Sequence, residues 1–340
     1  MSTPEETSER PSARRWALPV LATMLGVGLL AYLLEPHAAD IRKATNEASF
    51  ATLAWLTVLS ALALALRTEM WKVALRAAGH DLPRPHLHAA NGGTFLVSLV
   101  NAYVGPAVKI WALRRMRAES DPKVGQLVVV DLASVALEIM VAALLVIFAF
   151  FAVDLAWWVP VLFVAGGVGL AVAAVATHRR WEHHPAVQGL NVLMHGYYRY
   201  RLLVLLIGVF VSQILRTWIA LEAVGLDAGF GSATLIFVLT AVLGMLPTGL
   251  AAAPTAASVL VFGSDSVGLA AASGVLVTVS LFLATIIYTL LALAWYWRHR
   301  RRESRFSGSS AGPGGPAPSS APAAIAGAPE PRGRGSRARP

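Results

Sequence analysis

A chain of 340 residues with 56% hydrophobic and only 14% charged residues has too little charge for a soluble domain, in which about 25% of residues are charged. This composition, with a mean hydropathy of +0.61, predicts an integral membrane protein. The net charge of +9 does not predict nucleic-acid binding, because the basic residues lie in loops beside apolar runs and in the C-terminal tail. Anionic lipid headgroups are the expected partners of these basic loops.

The N-terminal part of the chain predicts two membrane spans. Residues 1–15 are polar and are expected to be disordered in the cytoplasm. Residues 16–34 form the first span. The alternative, a signal peptide, is less favoured because the apolar core is long for one and the cleavage match at Ala38-Ala39 is weak. Residues 35–47 hold few basic residues and are expected outside, and residues 49–66 return the chain to the cytoplasm.

Residues 89–106 form an apolar stretch that is interrupted too often to span a membrane. Its longest clean apolar piece, residues 94–100, is about a third of the roughly 20 residues that a spanning helix needs. Asn91-Gly92-Gly93 opens the stretch, Asn101 interrupts it and Gly105-Pro106 ends it. Lys and Arg residues on both sides place both of its ends in the cytoplasm. The pattern predicts a segment that enters the membrane and returns on the same side, enclosed by helices and lining a cavity.

Three regular spans follow, at residues 124–151, 160–177 and 202–224. The loop between the first two holds Asp154 as its only charge and is therefore expected outside. Residues 178–201 are basic and aromatic, which places them at the cytoplasmic surface.

A second broken segment, residues 233–262, contains Gly and Pro residues, among them Pro247 and Gly249, inside an apolar stretch. The turns on either side of it lack Lys and Arg, so both of its ends are expected outside. A sixth span at residues 267–297 ends in a basic cluster. Residues 303–340 are rich in Gly, Pro, Ser and Arg, which predicts a disordered cytoplasmic tail.

These patterns predict an all-α, polytopic membrane helical bundle over residues 16–302, with about six spans and two re-entrant broken segments. Spans two and three flank a segment that enters from the cytoplasm, and spans five and six flank one that enters from outside. This arrangement is an inverted repeat, in which broken segments at corresponding positions point to a central substrate site. The alternative is two ordinary hairpins with imperfect helices.

Two motifs of the chain resemble those of a known family. The first is Asn101-Ala-Tyr-Val-Gly105-Pro106-Ala-Val-Lys109, and the second is Leu246-Pro247-Thr-Gly249-Leu-Ala-Ala-Ala-Pro254. With them, residues 16–302 resemble the transmembrane domain of lysylphosphatidylglycerol synthases and the related stand-alone flippase-like proteins. The chain departs from that pattern in the order Gly-Pro and in lacking the Glu that often follows each break. Nothing after Arg302 has the composition of a folded domain, so neither a soluble aminoacyl-transferase domain nor lysine transfer is expected.

Glu138 and Asp131 are candidate functional carboxylates on the third span. They are seven residues apart and therefore share a helix face. Glu138 lies about 18 Å along the helix from Gln126, near mid-bilayer, where an unpaired carboxylate costs several kcal/mol. A site coupled to protons or to a headgroup would account for it, and so would an ion pair with Arg216. Asp131 lies nearer the surface and is expected to be solvated.

Arg216, Gln213 and Lys109 are candidate ligands for an anionic headgroup. Arg216 and Gln213 lie three residues apart on one face of the fifth span. The planar guanidinium of Arg216 suits phosphate because it donates two parallel hydrogen bonds. Lys109 is the basic residue nearest to the first break, and its alternative role is that of an anchor at the membrane surface.

No residue pattern predicts enzymatic chemistry, a metal site or a cofactor. The absence of cysteine excludes disulfides, thiolate zinc sites and cysteine nucleophiles. The nine histidines form no His-Glu-x-x-His pattern, and His80, His86 and His88 are interpreted as residues of a cytoplasmic loop. Phosphate-binding Gly-rich loops and nucleophile elbows are not visible, which favours a protein that is not an enzyme.

The chain is therefore predicted to be a multi-pass protein of the plasma membrane, with both termini cytoplasmic. It would bind and translocate an anionic lipid, either a phospholipid or a polyprenyl-phosphate-linked sugar. The predicted binding residues are Asn101, Gly105, Pro106, Lys109, Glu138, Gln213, Arg216, Pro247 and Gly249. Two alternatives stay open. One is a membrane glycosyltransferase, although the external loops are short for a catalytic site. The other is a non-transporting membrane partner of a cell-envelope biosynthetic enzyme, docked through the basic tail.

Overall fold

A computed structural model describes residues 28, 31–100, 104–115, 124–152, 158–180, 195–244, 252–262 and 266–309. Within these ranges all regular secondary structure is helical. The chain divides into two units, Met1–His299 and Arg300–Pro340, and every contact discussed below lies within the first. Most of the predicted first span and the part of the predicted tail beyond Ser309 lie outside the described residues.

The helices are numbered here along the chain as α1 (Ala38–Glu47), α2 (Phe50–Ala77), α3 (Arg84–Val100), α4 (Gly105–Arg115), α5 (Val124–Ala152), α6 (Trp158–Arg180), α7 (Gly196–Ala223), α8 (Phe230–Leu243), α9 (Ala253–Phe262) and α10 (Val267–Ser309). Among the described residues, three helices are long and apolar enough to cross a membrane, namely α2, α7 and the Val267–Arg302 part of α10. Shorter apolar helices accompany them. The chain is thus an all-helical protein whose long apolar helices indicate a membrane location.

Helix α2 is longer than the predicted second span and has well-formed ends. Ser49 is its N-cap, since its Oγ accepts a hydrogen bond from the Thr52 N–H at 3.1 Å. The helix ends where Gly79 takes a positive φ of 88°. There the His80 N–H donates to the Leu75 carbonyl at 2.9 Å, which satisfies an otherwise unpaired helical carbonyl. The polar and charged residues from Arg67 onward therefore lie on a continuous helix rather than in a loop.

Helices α2 and α7 form the central antiparallel pair of the fold. Ser60 of α2 contacts Arg216 of α7, and Leu66, further along α2, lies beside Gly208, nearer the start of α7. A Cβ at Gly208 would be 3.0 Å from Leu66 Cδ1, so glycine permits this close approach. Like α2, α7 ends at a glycine with positive φ, Gly225, followed by a Leu226 N–H to Leu221 carbonyl bond.

The first broken segment is a pair of helices, α3 and α4, that pack against each other. Helix α3 ends at Val100 and α4 begins at Gly105, so a helical break is present where it was predicted. Gly105 permits the close approach of α4 to α3, because a Cβ there would overlap Ser98 Oγ. Pro106 is the second residue of α4, where a missing N–H leaves no helical bond unmade.

The predicted opening of this segment at Asn91-Gly92-Gly93 is wrong, because these residues lie inside α3. Gly92 serves helix packing instead. A Cβ at Gly92 would be 3.1 Å from Thr289 Cα, and Thr289 Oγ1 donates to the Gly92 carbonyl at 3.1 Å. The glycine therefore lets α10 pack directly against the backbone of α3.

The second broken segment is also a pair of packed helices, α8 and α9. Helix α8 ends at Leu243 with Gly244 as its C-cap, and α9 begins at Ala253. Gly274 of α10 packs against the start of α9, since a Cβ there would overlap the backbone of Thr255. Pro247 and Gly249, which were predicted to form the break, lie outside the described residues.

Candidate functional site

One stripe of α2 carries polar side chains that reach three neighbouring helices. Ser60, Arg67 and Trp71 follow one another at spacings of seven and four residues, which keeps them on a single helix face. Ser60 contacts α7, Arg67 contacts α5 and Trp71 contacts α4. The candidate site is therefore organised around α2, whose residues were not among the predicted ligands.

Arg216 is the most deeply buried part of this arrangement, with only 4% of its surface exposed. Its Nη1 donates to Ser60 Oγ at 3.0 Å, while its Nε is buried without a hydrogen-bond partner among the described residues. No carboxylate in the described ranges forms an ion pair with it. Arg216 is therefore a buried cation whose Nε–H has no hydrogen-bond acceptor among the described residues.

Arg216 lies opposite the middle of the apolar part of α2. Its partner Ser60 lies roughly 15 Å along α2 from Phe50, which is about half of the ~30 Å hydrocarbon thickness. Gln213, the other predicted ligand on α7, is buried one helical turn before Arg216. The two residues are thus close in the structure, as their spacing predicts.

Glu138 forms an ion pair, but with Arg67 rather than with Arg216. Arg67 Nη2 lies 3.2 Å from Glu138 Oε2, and the two side chains are 39% and 26% exposed. The partner differs from the predicted one because α5 meets α2 at Arg67, whereas Arg216 lies opposite Ser60, nearer the start of α2. Glu138 thus neutralises Arg67 and leaves Arg216 without a carboxylate.

Lys109 and Asp131 also form a pair, so the expectation that Asp131 is merely solvated is wrong. Lys109 Nζ lies 2.7 Å from Asp131 Oδ1 and 4.1 Å from the centre of the Trp71 ring. The ammonium is therefore held by a carboxylate on one side and by the negative face of an aromatic ring on the other. This pair joins α4 to α5 and to α2.

The remaining predicted binding residues divide into two groups. Gly105 is buried and Pro106 is exposed, and both lie in the first turn of α4. Gly105 has a packing role against α3, as described above. Asn101, Pro247 and Gly249 lie outside the described residues, so their predicted roles stay predictions.

A second polar cluster joins α2, α3 and α10, and it was not predicted from the sequence. His88 Nε2 lies 3.3 Å from Glu69 Oε1, and His88 Nδ1 lies 2.8 Å from Tyr288 OH. Tyr288 OH in turn lies 2.7 Å from Thr68 Oγ1, which accepts a bond from Asn91 Nδ2 at 3.3 Å. His86 and His88 were interpreted as loop residues, but both belong to α3.

The protonation state of this cluster follows from its geometry. Burial lowers the pKa of His88, and the hydrogen bond to Glu69 offsets this only in part. A neutral ring would donate from Nε2 to Glu69 and accept at Nδ1 from the Tyr288 hydroxyl. The hydroxyl of Thr68 donates to the Leu64 carbonyl at 3.1 Å, and its oxygen lies 2.7 Å from Tyr288 OH. Arg84 Nε also donates to Glu69 Oε1 at 3.0 Å, so the carboxylate is held from two sides.

A sequence signal for part of the site existed. The seven-residue spacing from Ser60 to Arg67 places two polar residues on one face of α2, and polar residues within a span face other helices rather than lipid. No comparable signal could have paired Glu69 with His88 or Thr68 with Tyr288. These residues are far apart in the chain, and only the packing of three helices brings them together.

No protein family, curated protein or solved structure matches this chain in comparisons of sequence and fold. The resemblance to the transmembrane domain of lysylphosphatidylglycerol synthases therefore stays a prediction that rests on the two motifs. What the chain can do has to be argued from the geometry itself.

Proposed function

We propose that this chain is a membrane protein that binds the phosphate of an anionic lipid at Arg216 and translocates that lipid across the cytoplasmic membrane. The observation that carries the proposal is the state of Arg216. It is almost fully buried, its Nε has no partner among the described residues, and the carboxylate of Glu138 is paired with Arg67 instead.

An anion at this position would relieve an unfavourable arrangement. A buried charge without a counter-charge costs several kcal/mol. A phosphate oxygen at Arg216 would accept a hydrogen bond from the unpaired Nε–H, and the phosphate would supply the missing negative charge. The planar guanidinium can form two parallel hydrogen bonds with phosphate, which an ammonium cannot.

The proposed path of the lipid phosphate runs along α2. Arg67 lies on the same face as Ser60 and roughly 10 Å further along the helix. A phosphate could therefore pass between Arg216 and Arg67 without leaving positively charged surroundings, provided that Glu138 releases Arg67. Because Arg216 is 4% exposed, access requires the surrounding helices to separate, as in alternating-access transporters.

The proposed membrane architecture has six spans and two re-entrant segments in an inverted repeat, with both termini cytoplasmic. Two observations support it. Both broken segments are pairs of packed helices, α3 with α4 and α8 with α9. The long helices that precede them, α2 and α7, both end at a glycine with positive φ. Both halves would then present broken backbone to a central site next to the α2–α7 pair.

Lipid binding by matched variants tests the proposal. The full chain in nanodiscs would be analysed by native mass spectrometry with phosphatidylglycerol, phosphatidylcholine and undecaprenyl phosphate. We expect Arg216→Gln to lose the preference for the two anionic lipids, and Arg216→Lys to retain part of it. Arg298→Gln, which removes an exposed arginine of α10, is the control.

The two lipid classes share phosphate chemistry, and the lipid panel separates them. If Arg216→Gln weakens binding of undecaprenyl phosphate alone, the substrate is a polyprenyl phosphate. If it weakens binding of phosphatidylglycerol alone, the substrate is a phospholipid. Movement would be followed in liposomes with a fluorescent anionic lipid whose outer-leaflet fraction is quenched by dithionite. If Arg216→Gln leaves both lipid preference and movement unchanged, the proposal is wrong and a non-transporting membrane partner becomes the better interpretation.

A further inference from the structure

A groove on the opposite side of α5 from the ion pair with α2 offers a second binding surface. It is formed by α5 and α6, with a small contribution from the start of α7, and has a volume of about 390 Å³. This volume lies within the roughly 300–1,000 Å³ of typical small-molecule sites. Its walls are apolar, with Leu144, Val168 and Val172 being 64%, 57% and 62% exposed, so no described part of the chain covers it.

The groove runs along α5 and α6. Its floor is the close contact of α5 and α6, where a Cβ at Gly167 would lie 3.4 Å from Ala143 Cβ. Along α5 the lining extends from Leu137 to Ile147, which corresponds to about 15 Å of helix. This length is about half of the ~30 Å hydrocarbon thickness, which is the length of an acyl chain in one leaflet.

Arg199 is the one charged residue among those that line the groove. It is exposed, and its side chain forms no ion pair with a carboxylate in the described ranges. Arg179 and Arg180 at the end of α6 and Arg201 on α7 add to the positive charge of these helix ends. Arg201 is engaged with Tyr197, whose hydroxyl it contacts at 3.1 Å, which leaves Arg199 as the cation directed to the groove.

We propose that this groove binds one acyl chain of an anionic phospholipid whose phosphate pairs with Arg199. An apolar channel one leaflet long with a single cation in its lining is complementary to such a lipid in both shape and charge. The site is separate from Arg216, which lies roughly 25 Å further along α7. The proposal therefore does not depend on the function proposed for Arg216.

The full chain would be purified in detergent, exchanged into nanodiscs that contain phosphatidylglycerol and phosphatidylcholine, and analysed for retained lipid by native mass spectrometry. Val168→Trp fills the groove, and we expect it to remove one retained phosphatidylglycerol. Val211→Trp places the same bulk on an exposed valine of α7 outside the groove and should retain the lipid. Arg199→Gln should weaken phosphatidylglycerol retention about fivefold and leave phosphatidylcholine unchanged, whereas Arg298→Gln should change neither.

Several outcomes would overturn this proposal. Equal lipid loss in the two tryptophan variants would mean that the groove has no specific occupant. Unchanged retention in Arg199→Gln would place the headgroup elsewhere, and this variant decides the matter even if Val168→Trp fails to fold. A dimer of the wild-type chain that Val168→Trp dissociates, with no loss of lipid, would show that a second copy occupies the groove instead.

Discussion

The Lys109 ammonium lies 2.7 Å from the Asp131 carboxylate and above the ring of Trp71. Lys109, the basic residue nearest to the first helical break, is therefore neutralised by Asp131. Its contacts join α4 to α5 and to α2. Its predicted role as a headgroup ligand would require Asp131 to give up this pair. Arg216 differs from Lys109 in just this respect, because it has no such counter-charge among the described residues.

The first prediction is that Lys109→Met acts on stability rather than on lipid preference. The substitution leaves Asp131 unpaired, so we expect a loss on the order of 2 kcal/mol, seen as a lower midpoint of thermal unfolding in detergent. The double change with Asp131→Asn should recover part of the loss, because no unpaired charge then remains. If Lys109→Met instead abolishes the preference for anionic lipid at unchanged stability, Lys109 is a ligand.

The second prediction separates two roles of Glu138. If its charge couples to transport, Glu138→Gln should leave the protein folded but stop lipid movement in the dithionite assay. If the residue only holds Arg67, the stability lost in Glu138→Gln should be largely restored by the double change with Arg67→Gln. If Glu138→Gln moves lipid as fast as the wild-type chain does, this carboxylate has no role in the mechanism.

The third prediction concerns the contact of α10 with the start of α9. Gly274→Ala would push a methyl group into the backbone of Thr255, which cannot rotate away, so we expect destabilisation of about 1–3 kcal/mol. Gly169→Ala on α6 is the matched control, because a Cβ there meets nothing within 4 Å and alanine favours the helix. Gly105→Ala should be milder than Gly274→Ala, since the overlapping atom is a serine hydroxyl that can turn aside.

Hydropathy and Gly/Pro patterns predict much of the fold. Residues 124–151 were predicted as a span and form helix α5 to within one residue, although α5 is not among the three helices identified as candidate spans. The break after Val100 is found where the pattern places it. The opening of that segment was wrongly predicted because a Gly within a sequence does not reveal whether it bends the chain or admits a neighbour. At Gly92 the neighbour is Thr289, nearly two hundred residues away in the chain.

Ion-pair partners were harder to predict than helices. Spacing places Glu138 and Arg216 at plausible depths but does not tell which helices touch along which part of their length. The predicted pair was wrong because α5 meets α2 at Arg67, seven residues beyond Ser60, the partner of Arg216. The same limit applies to His88, whose burial depends on Tyr288 of α10 and Glu69 of α2.

The fourth prediction concerns the pH dependence of stability. The pKa of His88 in the folded chain is lowered from its ordinary value of 6.5, mainly by burial. The unfolded chain therefore binds the proton more readily, so stability should fall as the pH decreases below about 6.5 and level off above it. Thermal midpoints between pH 5.5 and 8 should show this slope.

A histidine control makes the pH experiment specific. His88→Gln should flatten the slope below pH 6.5, because the residue that resists protonation is gone. A slope that is unchanged in His88→Gln would assign the pH dependence to another group. Tyr288→Phe should lower stability at every pH, since it breaks the hydrogen-bonded chain from His88 to Thr68.

The last prediction tests the proposed topology, and the chain suits the experiment because it contains no cysteine. Single cysteines would be introduced at Ser49, Ser120, Ser264 and Ser304 and exposed to a membrane-impermeant maleimide in intact cells. In the six-span inverted repeat, Ser49 and Ser264 are outside and should react, whereas Ser120 and Ser304 are inside and should react only after the membrane is opened. Labelling of Ser120 from outside would mean that the α3–α4 pair crosses the membrane. The two halves would then no longer be inverted copies, and the proposed central site would lose its symmetry argument even if Arg216 still bound an anionic lipid.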